Sequence, residues 1–540
     1  MTGRISSILP VILCLSVFIF ASCGSSASSV AGRLSSVETV SFYPQVDEYI
    51  RRQIEADNIP GIAAVVVQGS EIIYLNSFGV ASLVTQLPVA PQTIFDLASV
   101  SKSFTALGVL LLRNESLIDL DAPVQQYLPD FQLNDLRATE ITVRQLLNQT
   151  SGLPGKFSAP LIFHDGEDAM QQIVASTSRL RLNREPGSSF EYADINYCLL
   201  GALIERVSGT TFEDYMQQQV FTPLRMENTT LYPEAAAVLN RADGHQPLYG
   251  RVVIRNMPVY RGALPAGWVM SCAEDMAKWL IFHLNNGYIN GEQVFPAATV
   301  EETRAVAVLY EEHGREIGYG MGWLTDNTDA DVSLVWHGGD TPNFTADMIL
   351  LPQYQAGIVV LVNSQASTNG HSIAPGIVNI LFGLKLDTMT VPWWAHWKRI
   401  DTMATFVIIF VSLLLLASLA YFVNIIWQLR IKKMHFLWSS IAAPRLPVWQ
   451  ISLHTVPLVL TIMFTLAGYL VAKTLYGYNL FEMLLLFRLG VPPGVYISGV
   501  SLIMVVFLWV ILLAFSALFI RGNRKMPNSP SVSARQDKPA

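Results

Sequence analysis

Residues 404–427 read ATFVIIFVSLLLLASLAYFVNIIW, and no charged side chain interrupts them. A helix of that length crosses a hydrocarbon core of about 30 Å, so this run more than any other feature limits what the chain can fold into. Two further runs, 451–472 and 495–520, also lack Asp, Glu, Lys and Arg. The sequence therefore predicts three transmembrane helices in its last quarter. They account for a composition with 51% hydrophobic and only 14% charged residues, too apolar on average for a wholly soluble protein.

The beginning of the chain has a different character. Arg4 precedes an apolar stretch over 8–20 and then the small residues ASCGSSASS, the order of a secretory signal over 1–23. The segment FASC approximates a lipoprotein cleavage box, with Phe20 where a smaller aliphatic residue is preferred and Cys23 as the residue that would carry lipid. Basic residues fix the expected orientation. Arg430, Lys432, Lys433 and Arg445 follow the first span, and Arg521, Arg524 and Lys525 follow the third, so both segments are expected to be cytoplasmic. Everything between the signal and the first span is then outside. Trp393, Trp394 and Trp397 suit an interfacial belt at that boundary.

The expected organisation is a Ser/Ala-rich tether over 24–39, a globular domain over 40–386, a juxtamembrane segment over 387–403, the three spans, and a polar, disordered tail over 526–540. Four cysteines are present, two of them in the signal region; Cys198 and Cys272 read as separate buried thiols in the domain. A net charge of −7 without a basic run speaks against a nucleic-acid partner. Apart from His454 the spans hold no ionisable residue, which speaks against a proton path or transporter.

Strand signals open and close the globular domain. GIAAVVVQ (61–68) and EIIYLNSFGVA (71–81) form a hairpin about Gly69 and Ser70, and YGMGWLT (319–325), SLVWHGG (333–339), FTADMILLP (344–352) and AGIVVLVNS (356–364) are further strands. Helical patterns fill the interval, and another, SIAPGIVNILFGL, follows the last strand. The expected fold class is α+β: an antiparallel sheet assembled from both ends of the domain, flanked by helices, with a helical insertion and a cleft beside it.

The chemistry centres on FDLASVSKSFTAL (95–107). A serine hydroxyl needs a neighbour to take its proton, and spacing of three on a helix puts Ser99 and Lys102 on one face. Burial is expected to lower the lysine pKa toward that of a usable base. A helix cap with a solvated lysine fits the same four residues. Their apolar surroundings, Phe95, Leu97, Val100 and Phe104, favour the catalytic reading.

The stretch resembles the active-site helix of the serine β-lactamase and penicillin-binding-protein superfamily, in the class C-like branch that includes D-alanyl-D-alanine carboxypeptidases, D-aminopeptidases and esterases. Related enzymes carry S-x-x-K with two companion motifs. Both appear in order. EYADIN resembles the Tyr-x-Asn segment, which implies Tyr192 as a proton-handling phenol and Asp194 in the third position. Aspartate there cannot donate the amide hydrogen bond of the commoner asparagine, and it would attract Lys102 more strongly. VWHGGDTPNF resembles the Lys/His-x-Gly strand motif, which implies substrate-binding roles for His337 and Gly339 and an oxyanion hole from the backbone N–H groups of Ser99 and Asp340. Asn148 and Gln149 stand where relatives usually carry histidine, a position expected to be structural and given no role.

No G-x-S-x-G elbow, H-E-x-x-H helix or Walker loop competes, and neither a cofactor nor a metal is expected. The resemblance implies a membrane-anchored, extracytoplasmic serine hydrolase working through an acyl-enzyme. Its substrate would be an amide or ester: a peptide with D-residues, a cell-wall fragment, a β-lactam or a small ester. The alternative is a non-catalytic reader of the same fold that binds a ligand and signals through its helices.

Overall fold

A computed structural model describes residues 43–155, 162–312, 314–327, 332–364, 370–386, 397–431, 434–436, 493–517 and 519–521. The signal region, the tether, Cys23, the run over 451–472, the tail and most of the juxtamembrane segment lie outside these residues.

Eight strands form one sheet, all pairs antiparallel: β1 (Gly61–Gln68), β2 (Glu71–Gly79), β3 (Val308–Glu312), β4 (Arg315–Tyr319), β5 (Leu324–Asn327), β6 (Ser333–Thr341), β7 (Phe344–Leu351) and β8 (Ala356–Val362). Their order is β2-β1-β8-β7-β6-β5-β4-β3, so the first hairpin closes onto the last strand. Sequence periodicity explains the layers. In β1, Ile62, Ala64 and Val66 enter one hydrophobic cluster while Ala63, Val65 and Val67 enter another, because successive side chains point to opposite faces. Both faces are covered, which is why β1 and β8 are nearly uninterrupted apolar runs.

Helices α1 (Pro44–Asp57) and α5 (Ile373–Phe382) cover the first face through Val46, Ile50, Ile373 and Ile377. Helices α2 (Ser101–Asn114), α3 (Asp194–Ser208) and α4 (Ala273–Leu284) build the core on the other. Helix α2 is buried from Ser101 to Leu112, hence its near absence of charge. Among the described residues Cys198 and Cys272 are buried thiols that form no disulfide.

One expected strand is absent. Residues 319–325 are not continuous: β4 ends at Tyr319, β5 starts at Leu324, and 320–323 turn between them. Gly322 makes that turn at φ +78°, where an added Cβ would lie 2.7 Å from the Lys102 carbonyl carbon and the Ser103 nitrogen. The alternating apolar residues there pack the turn against α2.

Among the described residues two helices are long and apolar enough to cross a membrane, α6 (Trp397–Arg430) and α7 (Pro493–Ala517). The second expected span, 451–472, lies outside the described residues. Ser498 Oγ donates to the Ala404 carbonyl at 2.9 Å, and Trp509 Nε1 to the Leu414 carbonyl at 3.3 Å. Contacts that advance together along both chains make α6 and α7 parallel. A hairpin of the globular domain, His245–Leu248 with Arg251–Ile254, sits against their first turns. At its tip the Tyr249 and Gly250 N–H groups donate to the buried Asp401 carboxylate at 2.8 and 2.6 Å.

Candidate active site

The segment around Ser99 begins with a conformational anomaly. Ala98 sits at φ +46°, a region L-residues avoid, then one 3₁₀ turn over Ala98–Val100 leads into α2. The excursion is held from two sides. The Leu97 N–H donates to the Val269 carbonyl at 2.9 Å, and Ser101 Oγ accepts from the Val269 N–H at 2.9 Å. Ser99 is left half-exposed at the head of the helix.

Lys102 is fully buried; its ammonium donates to Ser99 Oγ at 3.1 Å and to the Ala266 carbonyl at 2.7 Å, and forms an ion pair with Asp194 Oδ1 at 2.7 Å. Its Nζ also lies 4.8 Å from the centre of the Tyr192 ring. The expectation of a lowered lysine pKa is overturned. Burial does press the ammonium toward neutrality, but the Asp194 carboxylate and the Tyr192 phenol outweigh it, and the Lys102 pKa rises. Burial likewise raises the Tyr192 phenol, with Lys102 pulling it only part of the way back. At neutral pH the resting pair is an ammonium beside a protonated phenol.

Strand β6 closes the site. Val335 belongs to the core on the helical-insertion side, so alternation puts His337 and Gly339 on that face and Gly338 and Asp340 on the other. A Cβ on Gly339 would stand 2.5 Å from the Leu97 carbonyl oxygen and 2.8 Å from the Ser99 nitrogen, so only glycine lets the strand lie against the serine. His337 is buried, its ring centre 6.2 Å from that of Tyr192. Its Nδ1 donates to the Gly338 carbonyl at 2.6 Å, which fixes the proton there and leaves Nε2 a buried lone pair without a hydrogen-bond partner among the described residues. Burial, with the Lys102 charge nearby, pushes the imidazole pKa down to about 3. His337 is thus neutral, an acceptor rather than a cation.

The structure brings Ser99, Lys102, Tyr192, Asp194, His337 and Gly339 together. Asp340 lies on the same strand, but its half-exposed carboxylate binds His371 Nε2 at 2.7 Å, so only its backbone can serve a site at Ser99.

A match to the family profile described as Beta-lactamase extends over residues 46–380, most of the chain and nearly all of the globular domain. The chain belongs to the Beta-lactamase family. The family relatives it resembles include Protein flp of Staphylococcus aureus (strain MW2), 28% identical over 326 residues that make up 59% of this chain and 62% of the relative. Penicillin-binding protein 4* of Bacillus subtilis (strain 168) is 28% identical over 354 residues, 62% of this chain and 75% of that protein. The structure of the octameric penicillin-binding protein homologue from Pyrococcus abyssi superposes with a TM-score of 0.56 at 25% identity, covering 66% of this chain and 80% of the other. The alignment with Protein flp leaves more than a third of that relative's length unmatched.

Two features of this Beta-lactamase family member were not found by reading its sequence. Gln149, assigned no role there, is buried at φ +58°, and its Oε1 accepts from the Ala193 N–H at 3.0 Å and from Asn196 Nδ2 at 2.5 Å. Its carbonyl takes the Glu191 N–H at 2.9 Å, so one residue holds both flanks of Tyr192 and Asp194. The other is the Ala266 carbonyl on Lys102, supplied by the short helix Leu264–Gly267, which carries no titratable group to draw attention to it.

Proposed function

We propose that the protein is a membrane-anchored serine hydrolase in which Ser99 attacks an amide or ester carbonyl. The observation that carries this reading is the buried Lys102 ammonium 3.1 Å from Ser99 Oγ, with the phenol of Tyr192 beside both. Because the resting pair is fully protonated, the reactive form is the one that has lost a single proton from the Lys102/Tyr192 pair. That form takes the Ser99 hydroxyl proton as the Oγ–carbon bond forms, and the N–H groups of Ser99 and Asp340 receive the charge developing on the carbonyl oxygen. Collapse breaks the bond to the leaving group, which takes the proton with it. Water, deprotonated by the same pair, then releases the acyl group and restores Ser99.

The substrate is drawn from peptides with D-residues, cell-wall fragments, β-lactams and small esters. A neutral His337 cannot pair ionically with a carboxylate next to the scissile bond, and Asp194, 40% exposed, repels one. Both favour esters and amides without that carboxylate. The names of two similar proteins, one a penicillin-binding protein and one a homologue of such a protein, support keeping β-lactams among these candidates. The catalytic domain is placed outside the cytoplasm on a multi-pass anchor. Parallel α6 and α7 support the multi-pass anchor, since two parallel spans need an odd number of crossings between them and 451–472 is the one uncharged run available. The basic residues after the first and third runs support the side.

A second reading, a non-catalytic receptor, draws on one observation: the Lys102 ammonium already donates to Ser99 Oγ and the Ala266 carbonyl and is paired with the Asp194 carboxylate. Treatment of the full-length protein with a fluorophosphonate and with a fluorescent penicillin, followed by peptide mapping, separates the two. The hydrolase reading expects a Ser99 adduct and p-nitrophenyl ester turnover that Ser99→Ala abolishes. No adduct with either probe and no Ser99-dependent turnover would leave the receptor.

A further inference from the structure

Two glycines in succession, Gly338 and Gly339, stand at the end of β6 that lies against Ser99. Gly339 is required by Ser99 and Leu97; Gly338 leaves room on the opposite face, where a Cβ would come within 3.0 Å of His371 Cε1 and 3.2 Å of Asp347 Oδ1 and press on both side chains. Glycine pairs loosen a backbone because they remove the side chains that restrict it. Here the looseness falls just before Asp340, whose N–H the proposed reaction uses.

Behind this stretch, His371 spans two strands. Its Nε2 lies 2.7 Å from Asp340 Oδ2 on β6, and its Nδ1 lies 2.5 Å from Asp347 Oδ1 on β7. Gly338 and Asp347 are direct cross-strand partners, as are Asp340 and Thr345, and Thr345 Oγ1 completes the bridge by donating to Asp340 Oδ1 at 2.8 Å. Both ring nitrogens face carboxylates, so the ring is an imidazolium donating to each. Burial opposes that charge, but Asp347 and Asp340 overcome it and hold the His371 pKa well above its ordinary value. Asp347 is buried, with Oδ2 unpartnered among the described residues, and His371 is the cation it faces. Among the described residues the Tyr49 hydroxyl reaches the Ser372 carbonyl beside His371, and His337 also feels the His371 charge from the other face of β6, where alternation places it.

We propose that His371 is a positioning residue: by tying Asp340 to Asp347 it fixes the two-glycine stretch of β6 so that the Asp340 N–H meets the developing oxyanion. It touches no substrate. The inference rests on the hydrolase reading above.

The test compares full-length wild type with His371→Gln, with the double variant His371→Gln/Asp347→Asn, and with Asp340→Asn, which changes a half-exposed carboxylate and keeps the backbone N–H. Hydrolysis of a p-nitrophenyl ester, inactivation by a fluorophosphonate and thermal melting are measured on each. Misplacement of a catalytic group by about 1 Å costs roughly 100-fold, so kcat is expected to fall about 10- to 100-fold in all three, with KM within about twofold and inactivation slowed by the same factor. The double variant, relieved of its unpaired buried carboxylate, regains melting temperature but not kcat. Recovery of kcat together with melting temperature would overturn the positioning role, as would unchanged kcat in Asp340→Asn. Wild-type turnover independent of Ser99 would instead overturn the hydrolase reading, and this inference with it.

Discussion

The Asp194 carboxylate lies 2.7 Å from Lys102 Nζ and holds the lysine as an ammonium that donates to Ser99. Asparagine, which the Tyr-x-Asn resemblance would put at this position, would leave only Tyr192 to oppose the effect of burial on the lysine. The contact therefore sets the protonation state from which the reaction must start.

Asp194→Asn removes the charge that most raises Lys102 and one of those that raise Tyr192, so both pKa values fall. The form lacking one proton becomes available at lower pH. The rising limb of kcat/KM against pH moves toward acid, and turnover of a p-nitrophenyl ester at pH 7 increases. A limb that stays in place would mean that the pair does not supply the base.

Gly339→Ala puts a methyl group 2.5 Å from the Leu97 carbonyl and 2.8 Å from the Ser99 nitrogen. Strand and helix must separate. Overpacking of this kind costs about 1–3 kcal/mol, and displacement at the reacting centre lowers kcat/KM about 100-fold, read from denaturant melts and ester hydrolysis on the same preparation.

Gln149→Ala leaves the Ala193 N–H and the Asn196 amide without their shared acceptor in a buried setting. The cost is about 1–3 kcal/mol of stability. Because the loss falls between Tyr192 and Asp194, kcat drops more than KM changes, and Ser99 labelling by a fluorophosphonate slows with it.

Asp401→Ala removes the acceptor of the Tyr249 and Gly250 N–H groups, at the junction of the globular domain with α6. Hydrogen exchange at those two amides accelerates at least about tenfold, while exchange in β1 and β8 is unchanged.

His371 makes stability depend on pH with a defined sign. Its folded pKa lies above the unfolded value of about 6.5, so its contribution is complete below that pH and is lost as pH rises through the folded value. The gap in melting temperature between wild type and His371→Gln is expected to narrow as pH rises into alkali, and to shrink again in strong acid as Asp347, whose carboxyl pKa is raised by burial, takes up a proton and loses its pairing with His371.

What could be read from the sequence follows from how local each signal is. β1 and β8 announce themselves by apolar runs, and Ser99, Lys102, Tyr192 and His337 by short motifs in a fixed order. The pair of carboxylates on His371 has no such signature, because Asp340 and Asp347 are brought together by strand pairing and His371 comes from a separate 3₁₀ turn over Gly370–Ser372. Gln149 was noticed only for the histidine it replaces; its hydrogen bonds to 193 and 196 depend on a left-handed backbone that no local pattern encodes. The Lys102 pKa was misjudged for a different reason. Burial and ion pairing act in opposite directions, and which prevails is decided by a 2.7 Å contact between residues 92 positions apart. Strand 319–325 failed because Gly320 and Gly322 belong to a turn pressed on α2, whereas the flanking residues alone alternate as a strand does.

The central claim is that Ser99 becomes acylated. Rapid acid quench of the full-length protein during p-nitrophenyl ester turnover, with whole-protein mass and peptide mapping, observes that species directly. The account predicts one acyl group per chain, on the peptide containing Ser99, absent in Ser99→Ala and present at a higher steady-state level when deacylation is slowed. Turnover that continues in Ser99→Ala, or an acyl group mapped to another residue, would contradict it.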